Sequence, residues 1–158
     1  MLRDKTFWNP VNLIATWFGA GLLPKVPGTW GAFAALPFAW LITVYGGQIG
    51  LFIAALLLFV IGMVVSELYD RTKGDSDSPQ IVVDEVVGQW LTLTVAPLDV
   101  LYYAAGFLLF RVADILKPWP ANKVDRKLKN GFGVMLDDVV AAIYAAIILL
   151  AIQQVISN

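Results

Sequence analysis

The 158-residue sequence contains no cysteine and no histidine, and both absences narrow its chemistry. Without cysteine the chain has no disulfides, no thiolate metal ligands and no cysteine nucleophile. Without histidine it lacks the commonest general base and the imidazole ligand of transition metals. A metal site in this chain must therefore use oxygen ligands, which favour Mg²⁺, Mn²⁺ or Ca²⁺.

Charged residues are also scarce, at 15% of the sequence, against about 25% in ordinary globular domains. Hydrophobic residues make up 59% of the chain, which is more apolar surface than a domain of this size can bury. The bilayer is therefore the expected solvent. A net charge of −1 gives no indication of nucleic acid binding, and the length favours a single membrane-embedded domain over residues 1–158.

Apolar segments between turn signals predict an all-α, polytopic integral membrane protein with about five membrane helices and an N-terminal interfacial helix. Residues 48–69 are the clearest membrane helix, because more than twenty residues at ~1.5 Å each span the ~30 Å hydrocarbon layer. The interfacial helix covers residues 7–23; the sequence leaves open whether it spans the membrane, lies on it or forms a short core helix. The other predicted helices cover 30–45, 81–96, 99–117 and 136–156, with turns at 46–47 and 96–99.

The basic residues indicate the orientation of these helices. The two predicted turns contain no Lys or Arg, so two helical hairpins and a final helix place all eleven basic residues on one face. The positive-inside rule makes that face cytoplasmic and puts Asn158 on the far side. The same arrangement gathers seven acids at the cytoplasmic ends of four helices: Glu67, Asp70, Asp84, Glu85, Asp114, Asp137 and Asp138.

Carboxylates at membrane depth are costly unless they are paired or bind a cation, so this group predicts a metal site. Ion pairs are the alternative for some of them, with Glu67 four residues before Arg71 and Asp114 three residues after Arg111. Asp137 and Asp138 would also be favoured electrostatically in the first turn of a helix that begins near residue 136.

Two further features suit a phosphate group. Lys25 and Thr29 flank a Pro-Gly loop before a helix, where backbone N–H groups bind anions; an ordinary turn with Thr29 as the helix N-cap is the alternative. Lys117 is held near Asp114 by the prolines that follow it. The outer basic run is typical of contact with anionic lipid and comprises Lys123, Arg126, Lys127 and Lys129.

Three blocks of the sequence together resemble the phosphatidylglycerophosphatase A family. They are Lys25-Val-Pro-Gly28-Thr29-Trp-Gly31, then Asp77 with Ile81-Val-Val-Asp84-Glu85-Val-Val-Gly88, then the segment from Arg111 to Asp138. The resemblance implies a magnesium-dependent enzyme that removes the terminal phosphate of phosphatidylglycerophosphate at the cytoplasmic face of the bacterial inner membrane.

The resemblance and the charge pattern together give the expected site. The predicted metal ligands are Asp77, Asp84, Glu85, Asp114, Asp137 and Asp138, with Asp77 included through the resemblance alone. The predicted phosphate-binding residues are Lys25, Gly28, Thr29 and Lys117. The predicted catalytic residues are Asp84, Glu85, Asp138, Lys117 and Thr29. The number of magnesium ions, one or two, stays open, as does the choice between a metal-activated water and an aspartate as the nucleophile.

Two other functional classes fit parts of the pattern. A phosphatidyltransferase also uses aspartates and Mg²⁺ at the cytoplasmic face, but the Asp-Gly-x-x-Ala-Arg core expected of that family is absent. A cation transporter or a non-enzymatic membrane protein is the other alternative. Transporters carry their acids near the bilayer midplane, whereas here the acids cluster at one end.

Overall fold

The computed structural model describes residues 7–74, 78–120, 122–123 and 130–158, which form helices and irregular segments without a strand. The all-α prediction is confirmed. The helices are α1 (Pro10–Ala15), a 3₁₀ turn (Ala20–Leu22), α2 (Pro27–Lys73), α3 (Val83–Leu93), α4 (Val100–Leu116) and α5 (Gly131–Ser157).

Helix α2 reverses direction at Gly47, whose backbone (φ 68°, ψ −172°) lies outside the helical region. Glycine adopts a positive φ without steric cost. Gly31 and Gly62, on opposite sides of this position, both pack against the neighbouring residues Val82 and Val83. A straight helix would separate the two glycines by about 46 Å, so α2 is a hairpin of two arms. This confirms the predicted glycine turn.

Helix α3 is the buried centre of the bundle. It has 11 residues, shorter than the predicted helix over 81–96, and eight of them are buried. The Trp90 indole donates a hydrogen bond to the carbonyl of Ala35 on the first arm of α2 (3.0 Å). Just beyond the hairpin turn, the Gln48 amide donates to the carbonyl of Ala96 (2.7 Å). The segment that contains α3 therefore runs alongside the α2 arms as far as the turn.

Helices α4 and α5 complete the bundle, and side chains cap both of their starts. Asp99 accepts a hydrogen bond from the Leu101 N–H (2.8 Å) at the start of α4. Asn130 accepts from the Gly133 N–H (2.9 Å) at the start of α5. Such caps satisfy N–H groups that have no partner within the helix. A stripe of small residues on α5 is buried against α4, with Ala141, Ala142 and Ala145 beside Phe110.

The N-terminal segment is not the single helix predicted over residues 7–23. Asn9 caps α1, accepting from the Val11 N–H (2.9 Å), but α1 ends at Ala15. Trp17 and Phe18 then adopt positive φ values of 48° and 56°. The segment is fastened to the start of α3, because the Val82 N–H donates to the Ala15 carbonyl (2.8 Å).

Two helices, α2 and α5, are long and apolar enough to cross a membrane. Large apolar side chains on both remain exposed in the bundle, including Ile49 at 75% and Val155 at 78%. Extensive exposed apolar surface marks contact with lipid or a partner. Within the described part of the chain, these two helices support membrane association, and the five predicted membrane helices stay a prediction.

Candidate active site

A pocket of about 410 Å³ opens where the starts of α2 and α3 meet the end of α4 and the first turns of α5. Its volume lies in the range of small-molecule sites. The wall carries five carboxylates and two cationic side chains, so acids exceed bases by three. The residues that give it this chemistry are Gly28, Thr29, Ser78, Asp84, Glu85, Arg111, Asp114, Lys117, Asp137 and Asp138.

Two glycines allow these elements to approach one another. A Cβ atom at Gly28 would lie 2.7 Å from Glu85 Oε1 and 3.3 Å from Arg111 Nη1. A Cβ atom at Gly88 would lie 2.4 Å from an aromatic ring on α4 and 3.0 Å from the Asp138 carbonyl oxygen. A larger residue at Gly28 would displace the Glu85 carboxylate, and one at Gly88 would meet the ring on α4 and the backbone of α5.

The carboxylates form two overlapping groups. Oxygens of Asp84, Glu85 and Asp138 lie within 4.8 Å of one another, and so do oxygens of Asp114, Asp137 and Asp138. Asp138 belongs to both groups and is 1% exposed. In the first group, Asp84 Oδ1, Glu85 Oε2 and Asp138 Oδ2 are buried and have no hydrogen-bond partner among the described residues. Buried carboxylate oxygens this close repel one another, and a cation is the partner that would satisfy all three.

The remaining acids of the second group have cationic partners. Arg111 Nη1 donates to Asp114 Oδ2, which is the ion pair predicted from their spacing. Lys117 Nζ donates to Asp137 Oδ2. These contacts offset the charge of Asp114 and Asp137, so the unmet negative charge is concentrated on the first group. The donor set there is all oxygen and fits Mg²⁺, which is bound in proteins through a few carboxylates.

Glu67 and Asp70 hold the surrounding chain rather than line the pocket. Glu67 accepts from Arg71 (3.3 Å), the predicted i,i+4 pair, and from the Gly131 N–H (3.1 Å) at the start of α5. Asp70 accepts from both the N–H (3.0 Å) and the hydroxyl (2.5 Å) of Ser78. The second arm of α2 therefore anchors the two segments that carry pocket residues.

The structure brings eight of the ten predicted site residues into this one pocket. Lys25 instead lines an adjoining pocket, and Asp77 lies outside the described residues. The roles of the eight as ligands or catalysts stay predictions. They are Gly28, Thr29, Asp84, Glu85, Asp114, Lys117, Asp137 and Asp138.

Two local interpretations of the sequence are wrong. Helix α5 begins at Gly131, not near residue 136, so its first turn contains no acid and Asp137 and Asp138 follow in the second turn. A preference for acids at a helix start therefore does not explain them, because the dipole effect is confined to the first turn. Thr29 is not an N-cap, since Val26 occupies that position and α2 has Pro27 at its start.

Arg111 and Ser78 line the pocket although neither was predicted as a site residue. Arg111 was visible in the sequence only as the partner of Asp114; its Nε is buried without a hydrogen-bond partner among the described residues. No sequence signal distinguished Ser78. Of the outer basic run, Lys123 is exposed, and Arg126, Lys127 and Lys129 lie outside the described residues.

Comparison with known proteins gives consistent matches over nearly the whole chain. Residues 13–153 match the family model described as phosphatidylglycerophosphatase A. The chain is 42% identical to the phosphatidylglycerophosphatase A of Haemophilus influenzae, with 96% of this chain and 94% of the relative covered. It is also 42% identical to the Escherichia coli protein of that name, with 89% and 82% covered.

A third relative carries a different substrate in its name. The chain is 36% identical to a Bacteroides thetaiotaomicron protein that is provisionally named a phosphatidylinositol-3-phosphatase, over 91% of this chain and 94% of the relative. No solved structure gives a significant match to the chain.

Proposed function

Because the chain belongs to the phosphatidylglycerophosphatase A family, we propose that it hydrolyses the terminal phosphate monoester of phosphatidylglycerophosphate to phosphatidylglycerol and inorganic phosphate. The observation that carries this proposal is the pocket itself. Three buried carboxylate oxygens there have no hydrogen-bond partner among the described residues, and two cationic side chains lie beside them. Such a site accepts a divalent cation and a phosphate together.

Asp84, Glu85 and Asp138 are the residues proposed to hold Mg²⁺. A magnesium ion at this position would supply Lewis acidity toward the phosphoryl oxygens and positive charge among the carboxylates. Asp114 and Asp137 face the same pocket with their cationic partners. Their part in this proposal is to hold Arg111 and Lys117 in place.

The chain also supplies its own phosphate-binding groups within this pocket. Lys117 ends α4 with φ 47° and contacts Asp137; its ammonium has three donors, so it can hold that carboxylate and a phosphate oxygen at once. Arg111 has five donors and uses one on Asp114. Thr29 and Gly28 add the start of α2, where backbone N–H groups and the helix dipole favour an anion. These groups position the monoester and stabilise charge that develops on it.

The protein is proposed to lie in the bacterial inner membrane with this pocket on the cytoplasmic side. The two arms of α2, together with α3, α4 and α5, would give five membrane segments. Segment 82–96 begins beside Gly31 and ends at Gln48, so it covers the same depth as the first arm. Among the described residues, the basic ones all lie at the pocket end of these elements, which the positive-inside rule assigns to the cytoplasm.

Phosphate release by the purified protein tests the proposal. Unaltered protein with Mg²⁺ should release phosphate from phosphatidylglycerophosphate, and EDTA or Asp84→Asn should abolish the release. Phosphatidylinositol 3-phosphate is the matched comparison substrate, because one relative is named for it. Faster phosphate release from phosphatidylinositol 3-phosphate than from phosphatidylglycerophosphate would mean that the former is the substrate. Phosphate release that EDTA does not affect would overturn the metal assignment.

A further inference from the structure

A second pocket, of about 740 Å³, adjoins the acidic pocket. Pro27 and Pro79 line both, so the two pockets share part of their walls. The second pocket is lined by two lysines, Lys25 and Lys73, and by no acidic residue among those described. The two neighbouring pockets thus differ in charge, one with an excess of acids and the other basic.

Lys25 is held in an unusual backbone conformation. Its φ is 77°, in the left-handed region that side-chain-bearing residues seldom adopt. Strained residues of this kind cluster at ligand sites and persist where the surrounding structure holds them. Lys25 precedes Pro27 by two residues, which limits its backbone to about 7 Å from the shared wall.

The N-terminal segment also lines this pocket. Gly21 packs so closely on the chain before α3 that a Cβ atom there would lie 2.0 Å from the Gln80 carbonyl oxygen. Leu22 and Leu23 also line this pocket and are 48% and 45% exposed. On the α2 side, the Lys73 ammonium lies 5.7 Å from the centre of the Tyr69 ring. The lining of the pocket therefore includes both cationic and apolar side chains.

We propose that this second pocket binds the internal phosphodiester of the lipid substrate while its terminal monoester lies in the acidic pocket. The inference rests on the proposed function and extends it to substrate selection. Phosphatidylglycerophosphate carries a phosphodiester and a monoester separated by one glycerol unit, which matches two adjoining pockets. Lysine ammonium groups can bind a singly charged phosphodiester without a metal, and the apolar side chains of this pocket suit the diacylglycerol end.

The test compares two short-chain lipids in neutral detergent. Dihexanoyl phosphatidylglycerophosphate has both phosphates, whereas dihexanoyl phosphatidic acid has only a monoester. Lys25→Ala and Lys73→Ala should each lower kcat/KM about fivefold for the first lipid, as expected for a basic residue facing an anionic lipid group. Both variants should leave phosphatidic acid within about twofold of the unaltered rate.

Three control variants separate charge from backbone and from general surface effects. Lys25→Arg should retain activity, and Lys25→Gly, which relieves the positive φ, should lose as much as Lys25→Ala. Arg71→Ala removes an equally basic and largely exposed side chain from the same end of α2, outside both pockets. It should change neither substrate by more than about twofold.

Several results would overturn the inference while leaving the proposed function intact. Equal losses on both lipids would assign Lys25 to the reacting monoester. Full activity of Lys25→Gly would mean that only the backbone conformation at this position matters, not the lysine charge. Losses that appear only after phosphatidylglycerol is added, and equally for both lipids, would mean that the pocket holds a neighbouring anionic lipid.

A binding measurement tests phosphodiester binding in the second pocket independently of turnover. Dihexanoyl phosphatidylglycerol, which has the phosphodiester and no monoester, is titrated calorimetrically into the full-length protein in EDTA. Binding about fivefold weaker in Lys25→Ala than in Arg71→Ala supports the second pocket even if the unaltered protein proves inactive on phosphatidylglycerophosphate. Equal binding by the two variants overturns it.

Discussion

Replacing Asp138 by asparagine should stabilise the metal-free protein while abolishing its response to magnesium. Asp138 is almost fully buried and lies within 4.8 Å of the oxygens of Asp84 and Glu85. In the absence of a cation these three carboxylates have one another as neighbours, whereas the adjacent Asp137 contacts the Lys117 ammonium. The same substitution at two consecutive positions should therefore have opposite effects on stability.

The magnitude follows from the distances. At 4.8 Å and an effective dielectric constant of about 20, two unit charges repel by about 3.5 kcal/mol. Asp138 has two such neighbours in its group, but screening and partial protonation of the group reduce the sum. We expect Asp138→Asn to stabilise the metal-free protein by about 2 kcal/mol, which corresponds to a Tm increase of about 4–8 °C for a chain of this length. Asp137→Asn should lower the Tm, because it removes the negative charge that contacts the partly buried Lys117 ammonium.

Thermal unfolding in detergent, followed by tryptophan fluorescence, measures both effects in EDTA and in Mg²⁺. Magnesium at about 100 times its Kd should stabilise the unaltered protein by about 2.7 kcal/mol and should not stabilise Asp138→Asn. The reasoning is refuted if Asp138→Asn lowers the Tm in EDTA as much as Asp137→Asn does. It is equally refuted if magnesium raises the Tm of Asp138→Asn by the full amount.

Three further predictions concern the phosphate-binding groups, the orientation and the packing. Lys117→Ala should slow turnover at saturating substrate by about 10²-fold, because its charge acts most on the transition state. Lys123→Ala, on the exposed surface, should weaken only the capture of the protein on anionic vesicles, and less so as salt rises. Equal, salt-dependent losses in the two variants would contradict this prediction. A reporter fused after Asn158 should read as non-cytoplasmic, and a cytoplasmic signal would mean that one proposed segment does not cross. Gly28→Ala should cut turnover by more than about tenfold, because its Cβ would lie 2.7 Å from a pocket carboxylate and displace it. Gly46→Ala, with open space around its Cβ position, should leave turnover unchanged. Normal turnover of Gly28→Ala would show that catalysis tolerates the displacement of this carboxylate.

The gathering of acids at one end of the bundle could be predicted because it depends only on the alternating direction of the helices. A chain that reverses at the Gly47 turn and again after Ala96 brings the starts of α3 and α5 to the end of α4. Residues such as Asp84, Asp114 and Asp138, far apart in sequence, then share one level. This inference needs neither exact helix boundaries nor side-chain positions.

The predicted helix boundaries are wrong where a glycine permits close helix packing instead of ending a helix. The last predicted helix begins at residue 136 and so leaves out Gly131 and Gly133, yet both lie in the first turn of α5. A Cβ atom at Gly131 would lie 2.3 Å from the Met63 carbonyl oxygen, so the glycine permits close contact between α5 and α2. Local propensity cannot show such a contact, because the partner lies more than sixty residues away.

The single helix predicted over residues 7–23 is wrong for a related reason. Trp17 and Phe18 have no local preference for a positive φ, and their conformation is fixed by tertiary contact. The Trp17 ring packs edge-on against Trp90 at 5.5 Å and against Phe38 at 5.1 Å. These aromatic contacts turn the chain away from a continuous helix and direct it toward Lys25, which is why the sequence could not show that this lysine lines a separate pocket.

The choice of carboxylates proposed to hold a cation is the part of the site that depended most on the structure. The sequence offered six acids as metal ligands without ranking them by their partners. In the folded chain Arg111 and Lys117 offset the charge of Asp114 and Asp137, and both cations come from the end of α4. The remaining unmet charge lies on Asp84, Glu85 and Asp138, supplied by α3 and α5. Because Arg111 and Lys117 line the same pocket as these carboxylates, a phosphate bound there would lie near the protein's own positive charges, which stabilise the charge that develops in phosphoryl transfer.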